Sequence, residues 1–189
     1  MTPLPLGILA LAGVTGGGPA YELLESTTLS SGASSVTFSG LSAYATDYKH
    51  LQIRAVTQIN KTTDTIENVF VRLNGDQAAN YAYHELSGNG SSVNSISSSG
   101  SSFMLVRNST ISQFNADYSA PVVMDFLDFA SSSKTTTMRG LGGSNAGNES
   151  QISFSSSLWN NTAAVTSIEV YTSGYSFNSG SRFSLIGIR

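Results

Sequence analysis

Few residues in this chain carry side chains suited to acid–base or nucleophilic chemistry. There are two histidines, His50 and His84, and no cysteine. None of the many serines lies in a Gly-x-Ser-x-Gly motif between a strand and a helix, the arrangement that activates a serine nucleophile. His84 lies between Tyr83 and Glu85 and is a candidate base, although a loop histidine hydrogen-bonded to a neighbouring strand is the commoner situation. We therefore predict no catalytic residues and a protein that is not an enzyme.

The carboxylates offer two further kinds of chemistry, glycoside hydrolysis and metal binding. Asp125 and Asp128 are three residues apart on one predicted strand, which directs them to opposite faces and away from a shared sugar bond. Asp64, Asp76 and Asp117 lie near predicted loops, but none belongs to an Asp-x-Asp-x-Asp-Gly calcium loop. The absence of cysteine also excludes disulfides and thiolate metal sites. We predict neither a metal nor a cofactor.

Aromatic side chains beside polar residues are candidates for stacking on sugar rings. Tyr81 and Tyr83 follow the turn Asn-Gly-Asp at 74–76 and are predicted to lie in a polar loop, so they are our candidate glycan-binding residues. Tyr175 and Trp159 have similar polar neighbours, but a lone tryptophan is usually buried and Trp159 is expected in or near the core. The sequence leaves open whether Tyr81 and Tyr83 bind a glycan or pack.

The elements that position these residues are predicted to be strands. Apolar and polar residues alternate in short segments separated by Gly, Ser and Asn, with no credible helix. About nine or ten strands are expected, spaced as in sandwiches and jelly rolls. We predict an all-β, jelly-roll-like antiparallel β-sandwich formed by residues 21–189 as a single domain. Residues 51–56 and 69–73 are predicted to pair as a hairpin, and residues 87–102 to form an exposed loop.

Residues 1–20 form a separate, apolar leading segment with a glycine joint at 16–18. It is too short to span a bilayer and lacks the positive charge of a secretory signal, so we expect no membrane insertion. We predict that this anchoring arm docks on a sister copy or a larger assembly; a signal peptide and packing on its own core are the alternatives. Its expected partner-binding residues are the large apolar ones, Leu4, Leu6, Ile8, Leu9, Leu11 and Val14.

Composition narrows the classes of partner. Hydrophobic residues make up 40% of the chain, enough for a core, whereas charged residues make up only 11% against the roughly 25% usual in soluble domains. The net charge is −3 and the nine basic residues are scattered. Because phosphate contacts need clustered Lys and Arg, nucleic-acid binding is disfavoured. An uncharged polar surface suits a protein packed among many copies or one that faces the outside of a cell or particle.

A series of short motifs runs in order along nearly the whole chain. It comprises Pro-Leu-Gly-Ile-Leu-Ala (5–10), Tyr-Glu-Leu-Leu (21–24), Val-Thr-Phe-Ser-Gly (36–40), Tyr-Lys-His-Leu-Gln-Ile-Arg (48–54), Arg-Leu-Asn-Gly-Asp (72–76), Asn-Tyr (80–81), His84, Leu86, Gly88, Gly-Ser-Ser (90–92), residues 159–168 and residues 180–188. Together these resemble small β-sandwich virion proteins of tailed bacteriophages, notably those infecting aquatic bacteria and cyanobacteria. The resemblance implies a virion component, either a head decoration (cement) protein or a tail-fibre part.

The expected function follows from the arm and this resemblance. We expect a structural protein of the virion, assembled in the bacterial host cytoplasm and held by its arm to major capsid or tail proteins. Self-association, with a trimer as one form, would add avidity to a weak arm. The main alternative is a carbohydrate-binding module that recognises a host surface glycan through Tyr81 and Tyr83. A polysaccharide-cleaving enzyme is third and requires two carboxylates in one groove.

Overall fold

The computed structural model describes residues 18–63, 66–112, 119–145 and 150–189. Most of these residues are in strands. The predicted arm residues, which run from Leu4 to Val14, lie outside the described part of the chain, as do Asp64 and Asp117. The expectations for them therefore stay predictions.

Twelve strands form in the described ranges, together with one 3-10 turn at Leu41–Tyr44. The expectation of nine or ten strands was too low. The strands are β1 (Tyr21–Thr28), β2 (Ser35–Ser39), β3 (His50–Ile59), β4 (Ile66–Leu73), β5 (Tyr81–Gly88), β6 (Val93–Ser101), β7 (Met104–Ser112), β8 (Ala120–Leu127), β9 (Thr136–Ser144), β10 (Gln151–Trp159), β11 (Ser167–Tyr171) and β12 (Arg182–Ile188).

The strands form the two layers of a β-sandwich, which confirms the predicted all-β class. The large sheet has the order β1-β12-β3-β8-β9-β10-β5-β6, and every neighbouring pair in it is antiparallel. The small sheet has the order β2-β11-β4-β7 and is also antiparallel. A short parallel pairing between the ends of β3 and β7 joins the two sheets. The topology is therefore mixed at this one junction.

Two local predictions were wrong for the same reason. The predicted hairpin does not form, because β3 pairs with β8 and β12 in the large sheet while β4 pairs with β7 and β11 in the small one. Residues 87–102 were expected to be a loop, but Val93–Ser101 is an edge strand paired with β5. Residue alternation reports that a segment is a strand and which side it buries, but not which strand lies beside it.

The core lies between the two sheets and is made by alternate residues of each strand. Inward side chains such as Ile53, Met124 and Phe126 of the large sheet meet Val71 and Ile168 of the small sheet, and all five are buried. Strand β12 lies between β1 and β3, so it is paired on both sides.

Strand β7 approaches the large sheet more closely than ordinary side chains allow. It crosses β9 where the inward positions are Gly140 and Gly142. A β-carbon on Gly140 would lie 2.5 Å from Cγ2 of Val106, and one on Gly142 would lie 2.5 Å from Oγ of Ser109. The two glycines therefore set the spacing of the sheets at this point.

Because of this close contact, adding one methyl group at Gly140 is expected to lower the stability of the fold strongly. Gly140→Ala should destabilise the fold by about 1–3 kcal/mol, because the β-branched Val106 has little freedom to move away. Gly88→Ala is the matched control, since its new β-carbon would have only ordinary contact, 3.8 Å from the Ser92 carbonyl. Urea unfolding of both variants measures the difference, and equal free energies of unfolding would contradict the packing argument.

Candidate functional site: an aromatic strip and the N-terminal junction

Tyr81 does not lie in an open loop, as the sequence had suggested, but in the core. It is the first residue of β5 and only 1% exposed. Its ring stacks on Trp159, with centroids 6.4 Å apart. Its hydroxyl accepts a hydrogen bond from the Leu73 amide (3.1 Å) and donates to the Asp76 carbonyl (3.1 Å), while burial raises its pKa to about 12. Tyr81 therefore presents no ring face to a sugar.

Trp159 is buried, 1% exposed, which confirms the expectation that it packs in the core. Its indole Nε1 donates to Oδ2 of Asp76 at 2.8 Å. The same carboxylate accepts hydrogen bonds from the Asn80 side chain and from the Ala78 amide, both at 2.9 Å. These bonds, the one from Asn80 above all, hold the pKa of Asp76 below its usual value. Asp76 thus closes the β4–β5 turn and is not free to bind calcium.

Tyr83 has a different environment, at the end of a row of half-buried rings. It stacks on Phe103 with centroids 6.1 Å apart and planes inclined by 17°. Phe103 meets the edge of Phe70 at 4.6 Å, and Phe70 lies 5.5 Å from Tyr171. We call Tyr83, Phe103, Phe70 and Tyr171 the aromatic strip. It runs from Tyr83 on β5 across the outer side of β4 and β11.

Charged groups border the far end of the aromatic strip. The Arg72 guanidinium carbon lies 4.3 Å from the centre of the Tyr171 ring, and an Arg72 nitrogen lies 3.7 Å from a Glu169 carboxylate oxygen. Arg72 Nε also donates to the Ser102 carbonyl at 3.4 Å. Partial burial raises the pKa of the Tyr171 hydroxyl. Half-buried rings beside an arginine and a carboxylate combine stacking surface with hydrogen-bonding groups, the chemistry that binds a sugar.

The sequence identified only one member of this strip, Tyr83. Phe70 and Tyr171 are directly opposite each other in the register of β4 and β11, and Phe103 reaches them from the β6–β7 connection. The sequence did contain a signal for Phe70. In the alternation of this strand, Val69 and Val71 form the apolar side, so Phe70 lies on the side expected to be polar. An aromatic residue on the outward side marks a surface that alternation alone treats as solvated.

His84 and Glu85 do not act together, because successive strand residues face opposite sides. His84 is exposed on the outer side of the large sheet, whereas the Glu85 side chain is fully buried between the sheets. An Arg107 nitrogen lies 3.6 Å from a Glu85 carboxylate oxygen. The pair is structural, since removing Arg107 would leave the buried Glu85 charge without a counter-charge.

The remaining carboxylates weighed for catalysis have separate partners. Asp125 accepts a 2.6 Å hydrogen bond from the Gln52 amide on β3. Asp128 is not on the same strand, since β8 ends at Leu127; it has a positive φ of 52° and pairs with Lys134 at 3.1 Å. In the described ranges, no three His, Cys, Asp or Glu side chains are grouped closely enough to hold a metal ion.

The junction between residues 1–17 and the sandwich is fixed by a charged cluster. The Tyr48 hydroxyl donates to a Glu22 carboxylate oxygen at 2.6 Å, and an Arg189 nitrogen donates to the same oxygen at 2.8 Å. These two contacts lower the pKa of Glu22. The Arg189 amide also donates to the Ala20 carbonyl, at 3.3 Å. We call Glu22, Tyr48 and Arg189 the junction cluster, and it holds the start of β1.

Comparisons with protein-family models, curated proteins and solved structures find no match to this chain. Across the part of the chain that is described, no helix has the length and apolar character needed to cross a membrane.

The hydrogen bonds of Asp76 predict a pH-dependent stability. Asp76→Asn should lower the free energy of unfolding at pH 7 by about 1–3 kcal/mol, because charge-assisted bonds are lost. Since the folded pKa lies below the ordinary value of 3.8, this stabilisation is complete above that value and is lost as the pH falls through the folded pKa. Urea unfolding between pH 7 and pH 2 should show the two proteins converging in acid.

Asp47→Asn is the control for this series, because the Asp47 side chain is exposed. It should leave stability nearly unchanged at every pH. A constant difference between wild type and Asp76→Asn down to pH 2 would contradict the assigned role of the carboxylate.

Proposed function

We propose that this chain is a non-catalytic structural protein of a tailed-phage virion. Residues 1–17 tie it to other virion proteins, such as the major capsid or tail proteins, and the sandwich is displayed on the particle. It serves as a head decoration (cement) protein or a tail-fibre component. The proposal rests on the uncharged apolar stretch at 4–14, which a three-glycine joint connects to a sandwich with its own complete core.

Three further observations support this proposal. The junction cluster holds in place the start of β1, the first strand after the leading segment in the sequence. Asp76, which was considered for calcium binding, and Asp125 and Asp128, which were considered for catalysis, are each engaged in structural contacts. The ordered motif series resembles virion proteins along nearly the whole chain. A short apolar segment binds weakly alone, and repetition over many copies supplies the avidity.

Charged substitutions in the leading segment test this proposal. A tagged full-length chain is produced in the host during phage growth, and particles are purified on a density gradient and immunoblotted. Wild type should co-purify with particles, whereas Leu6→Asp with Leu9→Asp should lower its recovery at least tenfold. Burying one leucine is worth about 2 kcal/mol, and 1.4 kcal/mol is tenfold in binding.

The matched control places the same charges in the glycine joint. Gly16→Asp with Gly17→Asp adds two carboxylates outside the apolar stretch and should leave recovery near that of wild type. Absence of the wild-type chain from particles would overturn the virion proposal. Normal recovery of the leucine variant would overturn the anchoring role of the segment.

The aromatic strip favours a second candidate function, recognition of a host surface glycan. Its rings are half-buried and therefore held in place, and Arg72 and Glu169 lie beside them. A site of this kind on a displayed sandwich is compatible with a place on the virion. The site shares Tyr83 with the predicted Tyr81–Tyr83 pair. Its other rings are Phe103, Phe70 and Tyr171, and the buried Tyr81 takes no part in it.

A glycan array with the purified full-length chain tests this second function. A specific hit should weaken roughly tenfold in Phe103→Ala and in Tyr83→Ala, since one stacked ring contributes about 1.5 kcal/mol. Tyr21→Ala removes an exposed ring from the large sheet and should bind as wild type does. No hit, or a hit indifferent to Phe103→Ala, would remove the strip as a glycan site.

A further inference from the structure

The large exposed hydrophobic residues of the described chain all lie on one surface. They occupy outward positions of the large sheet on six of its strands, and the small sheet contributes none. Their exposed fractions range from 39% to 75%. The set is Tyr21, Leu23, Val56, Leu86, Val93, Leu141, Ile152 and Phe154. We call the outward side of the large sheet the apolar face.

Strand register places six of these eight residues in two adjacent rows, and Tyr21 and Leu23 lie outside those rows on β1. Val123, Leu141, Phe154 and Leu86 are successive neighbours across β8, β9, β10 and β5, so they form one row. The adjacent row contains Val56 beside Pro121 on one side of the face, and Ile152 and Val93 on the other.

Two glycines in the second row leave the positions beside Ile152 without side chains. Gly143 and Gly88 lie on either side of Ile152 in the register. A shallow depression of about 700 Å³ lies between Pro121, Leu141 and Ile152. The resulting surface is apolar over several neighbouring strands, with this depression within it.

Charged side chains also lie on the apolar face, namely Arg54, Asp125, Arg139 and Arg182. The Gln52 side chain donates to Asp125 at 2.6 Å and accepts from Arg54 Nε at 2.6 Å, so it links these two charges. Arg139 lies across from Asp125 in the register of β8 and β9, and Arg182 lies across from Val56. The linked pair keeps its hydrogen bonds when the face is covered, whereas Arg139 and Arg182 have to be accommodated by the partner.

The area of the face matches one side of a stable interface. Eight strands about 4.8 Å apart span roughly 35 Å, and its four outward rows span roughly 20 Å along the strands, about 700 Å² in all. This is the area of the whole outward side, polar positions included, and a standard interface buries about 800 Å² per partner. Two identical faces can close on each other through a two-fold axis, which leaves neither exposed.

We propose that two copies of this chain pack apolar face to apolar face as an isologous dimer. The contact forms between purified chains without a particle, so it goes beyond the proposed function and stands independently of it. Leu141 and Phe154 lie near its centre, and the aromatic strip on the small sheet stays outside it. Each dimer carries two leading segments.

Sedimentation of the full-length chain tests the dimer. Wild type should sediment at twice the 19.8 kDa mass of one chain. Phe154→Asp and Leu141→Asp should each weaken the dimer at least a hundredfold in dissociation constant. Thr162→Asp adds the same charge on an exposed loop and should leave the dimer unchanged. Circular dichroism checks that each variant keeps its strands.

Thiol labelling gives a second measurement that does not rely on a disruptive variant. The chain has no cysteine, so Ser156→Cys on the face and Thr162→Cys on the loop each provide one reporter. Ser156→Cys should react with a maleimide at least tenfold more slowly than Thr162→Cys at high protein concentration. The two rates should converge on dilution below the dissociation constant.

Three results would overturn the proposal. One is a wild-type monomer at every concentration up to about 100 µM, and another is a trimer. The third is loss of the dimer in full-length Leu6→Asp with Leu9→Asp, because the leading segment would then be what covers the face. None of these results bears on recovery with virions, so the two proposals fail separately.

Discussion

The approach of β7 to the large sheet is the constraint on which the sandwich depends. Strand β7 belongs to the small sheet, is buried along nearly its whole length, and lies across β8, β9, β10 and β5. Two glycines on β9 remove the side chains that would hold it away. Its far end pairs in parallel with β3, which joins the layers. A core this closely spaced leaves the larger aromatic residues to fill the ends, where Trp159, Tyr81 and Phe177 pack.

The sequence was sufficient for the fold class and for the side that most strands bury, because the two-residue period appears directly in segments such as 51–56 and 182–188. It was insufficient for strand order, because pairing is decided by contacts between distant segments. It missed β6, whose residues are mostly Ser and Gly, because that edge strand is held by its backbone bonds to β5.

The candidate site shows the same limit at the level of single residues. Tyr81 and Tyr83 are two apart and point to the same side of β5. One is covered by Trp159 and the other extends to Phe103 at the margin of the small sheet. The alternation of residues along a strand cannot distinguish these two positions, because their burial depends on where the opposite sheet ends. The argument from strand alternation for Asp125 and Asp128 failed in a similar way, because β8 ends at Leu127 and Asp128 lies in the following turn.

The junction cluster has a mechanical consequence. Strand β1 pairs antiparallel with β12 from Tyr21 to Thr28, and the chain enters it beside Arg189. A force transmitted through Ala20 along the strand axis would load this whole ladder in shear, so its hydrogen bonds would resist together instead of opening one at a time. The ion pair between Glu22 and Arg189 lies at the point where such a force enters. A sandwich tethered in this way would withstand drag on a moving particle better than one held through a loop.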